Sequence, residues 1–188
     1  MTRLEEALRL IETALAGKER ILVAIDGPCA SGKTTLAKTL SDRLSCPVVH
    51  MDHFFLRPEQ RTPERLAEAG GNIDRERFMT EVLAPLQEDG KCTYRPFVCS
   101  TMSLGEPITV ERSPVILIEG SYSCHPDLRD AYDLCLYTQI SPVEQEKRLL
   151  AREGEAKLAV FKAKWIPMEE AYFKAFDVAA NCHVLGCE

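Results

Sequence analysis

Hydrophobic positions near the start of the chain recur with the period of a helix. Their spacing, with glutamates between them, predicts an amphipathic helix over residues 3–16 that ends at Gly17. The aliphatic residues that define its apolar face are Leu4, Leu8, Ile11 and Leu15.

Five apolar segments further along the chain have the length and composition of strands. The run ILVAI at 21–25 is continuous and contains β-branched residues, which is typical of a strand buried on both faces of a parallel sheet. The other segments are CPVVHMD, SPVILIEG, YDLCLYTQI and NCHVL. Helical patterns separate them, at 33–44, about 141–152 and about 167–177. This alternation predicts an α/β fold with a mostly parallel five-stranded sheet and helices on both faces.

A longer excursion, about 53–105, separates the second of these strands from the third. Residues 56–72 are polar and rich in proline and glycine, so they are predicted to run over the surface. Asp74 is predicted to cap a helix over about 75–86. The segments CTYRPFV and EPITVE are predicted to form a hairpin. With 188 residues, the chain is expected to form a single domain, residues 1–188, with a small lid at about 150–165.

Charge and hydropathy exclude some classes of partner. The net charge is −6 and no block of lysine or arginine occurs, so a nucleic acid polymer is not an expected partner. The longest apolar runs are far shorter than the roughly 20 residues that span a bilayer, and the N-terminal segment lacks the features of a signal peptide. We therefore expect a cytoplasmic protein with no membrane association. A homo-oligomer is compatible with the sequence.

Eight cysteines occur in the chain, none of them in a C-x-x-C pair. For a cytoplasmic protein they are expected to be reduced thiols in the core or on the surface. The spacings of Cys92 with Cys99, and of Cys182 with Cys187, match no common zinc pattern.

The segment GPCASGKT, residues 27–34, carries the clearest chemistry. It fits G-x-x-x-x-G-K-[ST] and lies between a predicted buried strand and a predicted helix, as a phosphate-binding P-loop requires. Its backbone N–H groups would bind phosphate oxygens, Lys33 would reach the β and γ phosphates, and the Thr34 hydroxyl would bind Mg²⁺. The predicted nucleotide-binding residues are Gly27, Pro28, Cys29, Ala30, Ser31, Gly32, Lys33, Thr34 and Thr35.

Other motifs narrow the class of reaction. No N-K-x-D segment of a GTPase and no G-x-G-x-x-G dinucleotide turn is present, which leaves phosphoryl transfer to an acceptor as the leading class. A nucleotide-binding module without kinase activity is the alternative. The position of Cys29 near a helix N-terminus suggests a lowered thiol pKa.

Two carboxylates follow predicted strands. Glu119 ends a buried strand, where open α/β sheets place ligand groups, and is a candidate Mg²⁺ ligand. Asp52 could hold a metal, take a proton from a substrate hydroxyl or read a ribose. Tyr94 and Arg95 could line an acceptor pocket, while His53 is expected to play no catalytic part. Three arginines after Asp52 suggest either an anionic acceptor or a solvated loop: Arg57, Arg61 and Arg65.

Several segments together resemble the uridine kinase-like P-loop kinases, whose relatives include phosphoribulokinase, pantothenate kinase and nicotinamide riboside kinase. The segments that carry the resemblance are GPCASGKTT, MDHFF, GGNIDRERF, CTYRPF, ILIEGSY and EQEKRLLARE. The resemblance implies a P-loop NTPase three-layer sandwich. It also implies that Asp52 is the catalytic base near the magnesium, that Asp74 contacts sugar hydroxyls, and that Arg148 and Arg152 close over the phosphates.

The acceptor segment departs from the uridine kinase pattern. Phe55 stands where a base-reading tyrosine is found in uridine kinases, and no histidine follows Tyr94. The expected activity is ATP- and Mg²⁺-dependent phosphorylation of a small-molecule hydroxyl, with a nucleoside or related riboside as the first candidate. A non-nucleoside alcohol or a sugar phosphate is the alternative acceptor.

Overall fold

A parallel five-stranded sheet forms the centre of the computed structural model, which describes residues 2–186. The strands, in chain order, are β1 (Ile21–Asp26), β2 (Val48–His50), β3 (Cys92–Tyr94), β4 (Phe97–Val98), β5 (Ser103–Leu104), β6 (Ile108–Val110), β7 (Val115–Glu119), β8 (Leu134–Thr138) and β9 (His183–Leu185). The central sheet has the order β2-β7-β1-β8-β9, and its neighbouring strands are all parallel. The predicted sheet and its five strands are confirmed.

Helices cover both faces of this sheet. They are α1 (Arg3–Leu15), α2 (Lys33–Leu44), α3 (Pro63–Ala67), α4 (Arg75–Phe78), α5 (Ala84–Glu88), α6 (Pro126–Arg129), α7 (Pro142–Glu153), α8 (Glu155–Val160) and α9 (Ile166–Phe176). A π turn, Met79–Leu83, joins α4 to α5, and another, Phe161–Trp165, joins α8 to α9. The predicted lid region is therefore helical on both sides of Gly154.

Two hydrophobic cores hold the layers together, one on each face of the sheet. On one face, α1 and α2 pack against the strands through side chains such as Ile11 and Leu40. On the other face, Phe54, Phe78 and Tyr172 are fully buried and bring the excursion and α9 onto the sheet. Every residue of β1 is buried because this strand lies between both cores. The predicted three-layer arrangement is confirmed.

The excursion between β2 and β7 is more ordered than its polar sequence suggested. Residues 58–67 are exposed or half-buried and contain α3, but Leu56 and the segment 70–74 are buried. The prediction that residues 56–72 run over the surface is therefore wrong at both ends. The guanidinium of Arg65 donates to the Gly71 and Ile73 carbonyls, and the Leu56 N–H donates to the Asn72 carbonyl at 3.2 Å, which holds both ends against each other. The predicted hairpin is present as two antiparallel pairs, β3 with β6 and β4 with β5.

The described cysteines are all free thiols, as expected; Cys187 lies outside the described residues. Within residues 2–186, no helix has the length and apolar character needed to cross a membrane.

Candidate active site

The phosphate loop connects the end of β1 to the start of α2, as predicted. Three of its residues have positive φ, namely Gly27, Ala30 and Gly32, and this lets the backbone curl around a small central space. The Lys33 side chain is buried, and its Nζ donates to the carbonyl oxygens of Gly27 and Pro28, both at 2.8 Å. The predicted nucleotide-binding residues 27–35 thus form this loop and the first turn of α2.

The first glycine of the loop lies against the end of β8. A Cβ atom on Gly27 would collide with both the carbonyl oxygen and the hydroxyl of Thr138. The same hydroxyl lies 2.6 Å from Ser31 Oγ, so β8 holds the loop at two points. Glycine at position 27 is therefore required by a close backbone approach as well as by its φ of 141°.

Asp26 lies beneath the loop and is fully buried, a role that the sequence did not reveal. One carboxylate oxygen accepts from the backbone N–H groups of Gly27 and Tyr122, at 2.6 and 3.2 Å. The other accepts from the Cys124 N–H and the Tyr172 hydroxyl, both at 2.8 Å. Burial raises the pKa of Asp26 to about 6, although these donors favour its charged form. The carboxylate therefore fastens the phosphate loop to the loop that follows β7.

Further contacts brace the loop from α1 and α9. The buried guanidinium of Arg3 donates to backbone carbonyls of residues 31, 139 and 186. Glu169 on α9 accepts the backbone N–H of Cys29 at 2.8 Å and the hydroxyl of Ser121 at 2.6 Å. Sequence reasoning missed these residues because they lie far from the loop along the chain.

The thiol of Cys29 does not have the lowered pKa that its position suggested. Burial and the nearby Glu169 carboxylate raise the pKa of Cys29 to about 12. The expectation of a reactive loop thiol is wrong because the low-dielectric surroundings and a neighbouring negative charge outweigh the positive charge of Lys33 and the hydrogen bond from Gln145.

Glu119 lies beside the loop at the carboxyl end of β7. Strand pairing places it opposite Ile25 of β1 and His50 of β2. The Thr34 hydroxyl lies 3.3 Å from one oxygen of the Glu119 carboxylate, and His50 Nδ1 lies 2.6 Å from the other. These oxygen donors are the kind that Mg²⁺ prefers, so Thr34 and Glu119 fit the predicted metal site.

His50 is a member of this cluster that the sequence analysis overlooked. Its hydrogen bond to Glu119, and more weakly the charge of Asp52, raise the pKa of the imidazole. The sequence signal for His50 was its position at the end of a predicted strand, two residues before Asp52. The pairing of β2 with β7 then places it opposite Glu119.

Asp52 lies in a short 3₁₀ turn, Met51–Phe54, that directly follows β2. Strand β2 is the neighbour of β7, the strand that ends at Glu119. Its side chain is exposed, and among residues 2–186 no hydrogen bond to its carboxylate is present. A carboxylate in this state is free to accept a proton from a substrate hydroxyl. Its neighbour His53 instead contacts the Tyr94 hydroxyl, at 3.1 Å, and burial lowers the pKa of that imidazole.

The other predicted acceptor residues differ in how far they are exposed to solvent. Asp74 is buried and caps α4 by accepting the Arg77 N–H, as predicted, while its second oxygen accepts from Gln60 at 2.8 Å. Phe55 pairs with Ile73 in an isolated bridge and is half-buried. The predicted Tyr94 is buried, whereas Arg95 is exposed and donates to the carbonyl of Gly105.

Arg77 connects these residues and was not singled out in the sequence. Its guanidinium donates to the carbonyl oxygens of His53 and Arg95, at 2.9 and 2.7 Å, and lies over the Phe54 ring. It therefore fixes the turn that carries Asp52 relative to the β3–β4 segment.

The two arginines predicted to close the site are placed differently. Arg148 on α7 donates to the Ala30 carbonyl at 3.4 Å and pairs with Glu144. Arg152, one turn later, pairs with Glu153, and within residues 2–186 it makes no hydrogen bond or ion pair with the loop. The structure thus brings Arg148 to the phosphate loop and leaves Arg152 outside it.

The arginines after Asp52 are also unequal. Arg65 is held by Glu76 at 2.7 Å and by two backbone carbonyls. Arg61 donates to the Leu56 carbonyl, and Arg57 lies 4.0 Å from Asp74 with its side chain 41% exposed. Arg65 therefore serves the fold, whereas Arg57 lies beside a candidate acceptor residue.

Comparison with solved structures finds two that share this fold. A structure described as "a Possible Uridine Kinase from Bacillus stearothermophilus" is 22% identical, with a TM-score of 0.72 over 98% of this chain and 97% of the other. A "putative fructose transport system kinase from Silicibacter sp. TM1040" is 24% identical, with a TM-score of 0.73 over 93% of this chain and 95% of the other. No protein-family model and no curated protein sequence matches the chain. The chain shares the fold of these proteins along nearly its whole length, as the sequence resemblance implied.

Proposed function

We propose that this protein transfers the γ-phosphoryl group of ATP to a hydroxyl group of a nucleoside or related riboside. One observation carries the proposal: three neighbouring strands present the phosphate loop, Glu119 and Asp52 at one edge of the sheet. A triphosphate held at the loop would thus have the Glu119 carboxylate near its Mg²⁺ ion and the Asp52 carboxylate near the acceptor hydroxyl.

The phosphate loop binds and orients the triphosphate in this proposal. Its backbone N–H groups and Lys33 surround the phosphate oxygens, and the lysine exchanges its carbonyl contacts for the β and γ phosphates. Thr34 and Glu119 would hold Mg²⁺, which supplies charge neutralisation between the β and γ phosphates when bound. Arg148 reaches the same loop and adds positive charge where the transferred group becomes most negative.

Asp52 acts as the general base on the acceptor hydroxyl. Its exposed carboxylate has no competing hydrogen bond among the described residues, and the turn that carries it is fixed by Arg77 and the buried Phe54. Orientation of the acceptor contributes more than basicity, since the proton leaves late in a loose phosphoryl transfer.

The acceptor is proposed from the residues beyond Asp52. Asp74 would contact sugar hydroxyls through the oxygen that now accepts from Gln60, since this amide can exchange for a hydroxyl donor. Phe55 and Tyr94 supply apolar and aromatic surface on either side of the turn. The first solved structure is described as a possible uridine kinase, which agrees with a riboside acceptor.

A sugar phosphate or other non-nucleoside alcohol is the second candidate. Arg57 supports it, because this half-exposed guanidinium lies beside Asp74 and could bind an anionic group. The description of the second solved structure as a fructose transport system kinase agrees with an acceptor of this kind.

The test is an acceptor screen on the purified protein. ADP release would be measured with ATP and Mg²⁺ against nucleosides, other ribosides, sugar phosphates and simple alcohols, and mass spectrometry would detect products heavier by one phosphoryl group. We expect a riboside to raise ADP release above the water background, and a Lys33→Ala variant to lose that increase. Preference for a sugar phosphate would favour the second candidate. No stimulation by any acceptor would contradict kinase activity and favour a nucleotide-binding module.

A further inference from the structure

Three cysteines that are distant in sequence meet on the face of the sheet that α9 covers. The Sγ atoms of Cys124, Cys135 and Cys182 all lie within 4.8 Å of one another. Cys124 is fully buried, and the other two are half-buried. This group is separate from the phosphate loop, Glu119 and Asp52, and the proposed reaction uses none of it.

Strand pairing and a fixed loop bring these thiols together. The parallel register of β8 with β9 pairs Leu136 with His183, so Cys135 of β8 lies next to Cys182, the residue that directly precedes β9. Cys124 lies on the loop after β7, where its backbone N–H is held by the Asp26 carboxylate at 2.8 Å. The cluster is therefore built from three well-packed elements.

We propose that Cys124, Cys135 and Cys182 form a binding site for a thiophilic metal ion, with Zn²⁺ as its expected occupant. Zinc–thiolate bonds are about 2.3 Å long, which puts the sulfurs of a tetrahedral site about 3.8 Å apart. The observed sulfurs need to approach by no more than about 1 Å to reach that geometry. Three thiolates without a hard oxygen ligand favour zinc over magnesium or calcium.

Two buried polar groups lie on the cleft that reaches the cluster. The Nη1 atom of Arg129 and the hydroxyl of Tyr132 are buried donors without a hydrogen-bond partner in residues 2–186. Unpaired buried donors are uncommon in proteins, and these two would face the extra negative charge that three thiolates bring.

The site also has a path for the ion and room for a fourth ligand. An open cleft of about 710 Å³ reaches the cluster and is lined by Arg129, Tyr132, Cys135, Cys182 and His183. Zinc bound by three protein ligands keeps its fourth position for water or a further side chain, and His183, which lines this cleft, is a candidate for it.

Zinc here would act on the phosphate loop through one carboxylate. Asp26 accepts the N–H of Cys124 and also the N–H of Gly27, the first residue of the loop. An ion that fixes Cys124 thereby fixes the support of the loop, so we expect metal binding to raise the unfolding temperature.

The experiment uses the full chain, reduced and freed of metal with a chelator. Zinc binding would be measured by competition with a chromogenic chelator in excess Mg²⁺, and Co²⁺ would report thiolate ligands by its charge-transfer absorption. The variants are Cys135→Ser and Cys182→Ser, whose side chains are half-buried. The matched control is Cys99→Ser, an exposed thiol outside the cluster.

We expect one zinc ion per chain, affinity at least about 10-fold weaker in each cluster variant, and unchanged affinity in the control. Cysteine alkylation mapped by mass spectrometry on the unmodified chain gives a second test, in which zinc should protect Cys135 and Cys182 but not Cys99. Binding that survives both cluster substitutions, or zinc that protects neither thiol, would overturn the proposal. A disulfide that forms within the cluster in the presence of excess zinc would overturn it as well.

Discussion

Gly27→Ala is the substitution that tests most sharply how the phosphate loop is built. The added methyl group would collide with the carbonyl oxygen and hydroxyl of Thr138, and the φ of 141° is a conformation that alanine adopts at a cost. The hydroxyl can rotate away, but the carbonyl belongs to β8 and can move only with the sheet. The loop, the strand or both must therefore shift.

The cost of this substitution can be worked out from its two parts. A non-glycine residue in such a backbone conformation costs about 1–3 kcal/mol, and overpacking against a fixed group costs about 1–3 kcal/mol more. The sum, roughly 2–6 kcal/mol, is a large share of the 5–15 kcal/mol that is typical of a domain. Gly17→Ala is the matched control, because its φ is 78° and nothing lies within 4 Å of the added Cβ.

Urea unfolding followed by circular dichroism would measure both variants. We expect Gly17→Ala to lose about 1–2 kcal/mol of unfolding free energy through its backbone alone, and Gly27→Ala to lose clearly more and to bind ATP weakly. If the two variants differed by less than about 0.5 kcal/mol, with equal m-values, the assigned contact with Thr138 would be refuted.

Two further predictions each compare a pair of arginines on one helix, Arg3 with Arg9 on α1 and Arg148 with Arg152 on α7. Arg3→Ala should lower the unfolding free energy by about 2–4 kcal/mol, because three backbone carbonyls lose a charged donor, while the exposed Arg9→Ala should change it by less than about 0.5 kcal/mol in the same urea titration; equal effects would contradict the bracing role. Arg148→Ala should lower kcat by roughly 10²-fold, and Arg152→Ala by less than threefold or so, in the acceptor assay; a larger loss for Arg152 would reverse the assignment.

The sequence was sufficient for features that are local along the chain. Strand, turn and helix around residues 27–35 follow one another directly, so their pattern predicted both the loop and its place in the sheet. The strand-end positions of Asp52 and Glu119 were predicted for the same reason, since the carboxyl ends of parallel strands meet at one edge.

Features that depend on distant contacts could not be predicted in this way. In the sequence, Asp26 is simply the last residue of an apolar strand. Only the fold shows that its carboxylate accepts the N–H groups of Tyr122 and Cys124 and so links the phosphate loop to the loop after β7. Glu169 reads as a helix residue, yet it contacts the loop and raises the pKa of Cys29. Each contact joins residues 96 to 140 positions apart, which no local pattern records.

The three-cysteine cluster is a clear example of this limit. Common zinc motifs pair cysteines a few residues apart, whereas these thiols lie at positions 124, 135 and 182. Their meeting depends on the register of β8 with β9 and on the loop that Asp26 holds. The spacing of these cysteines along the chain therefore gives no sign of the cluster.

The central claim is that Asp52 removes the proton from an acceptor hydroxyl, and Asp52→Asn tests it most directly. The measurement is acceptor-dependent ADP release together with ATP affinity, with the exposed Asp42→Asn as a control for charge. We predict that Asp52→Asn binds ATP as the unmodified protein does and turns over roughly 10²-fold or more slowly, while the control is unaffected. Unchanged turnover in Asp52→Asn would contradict the proposed mechanism.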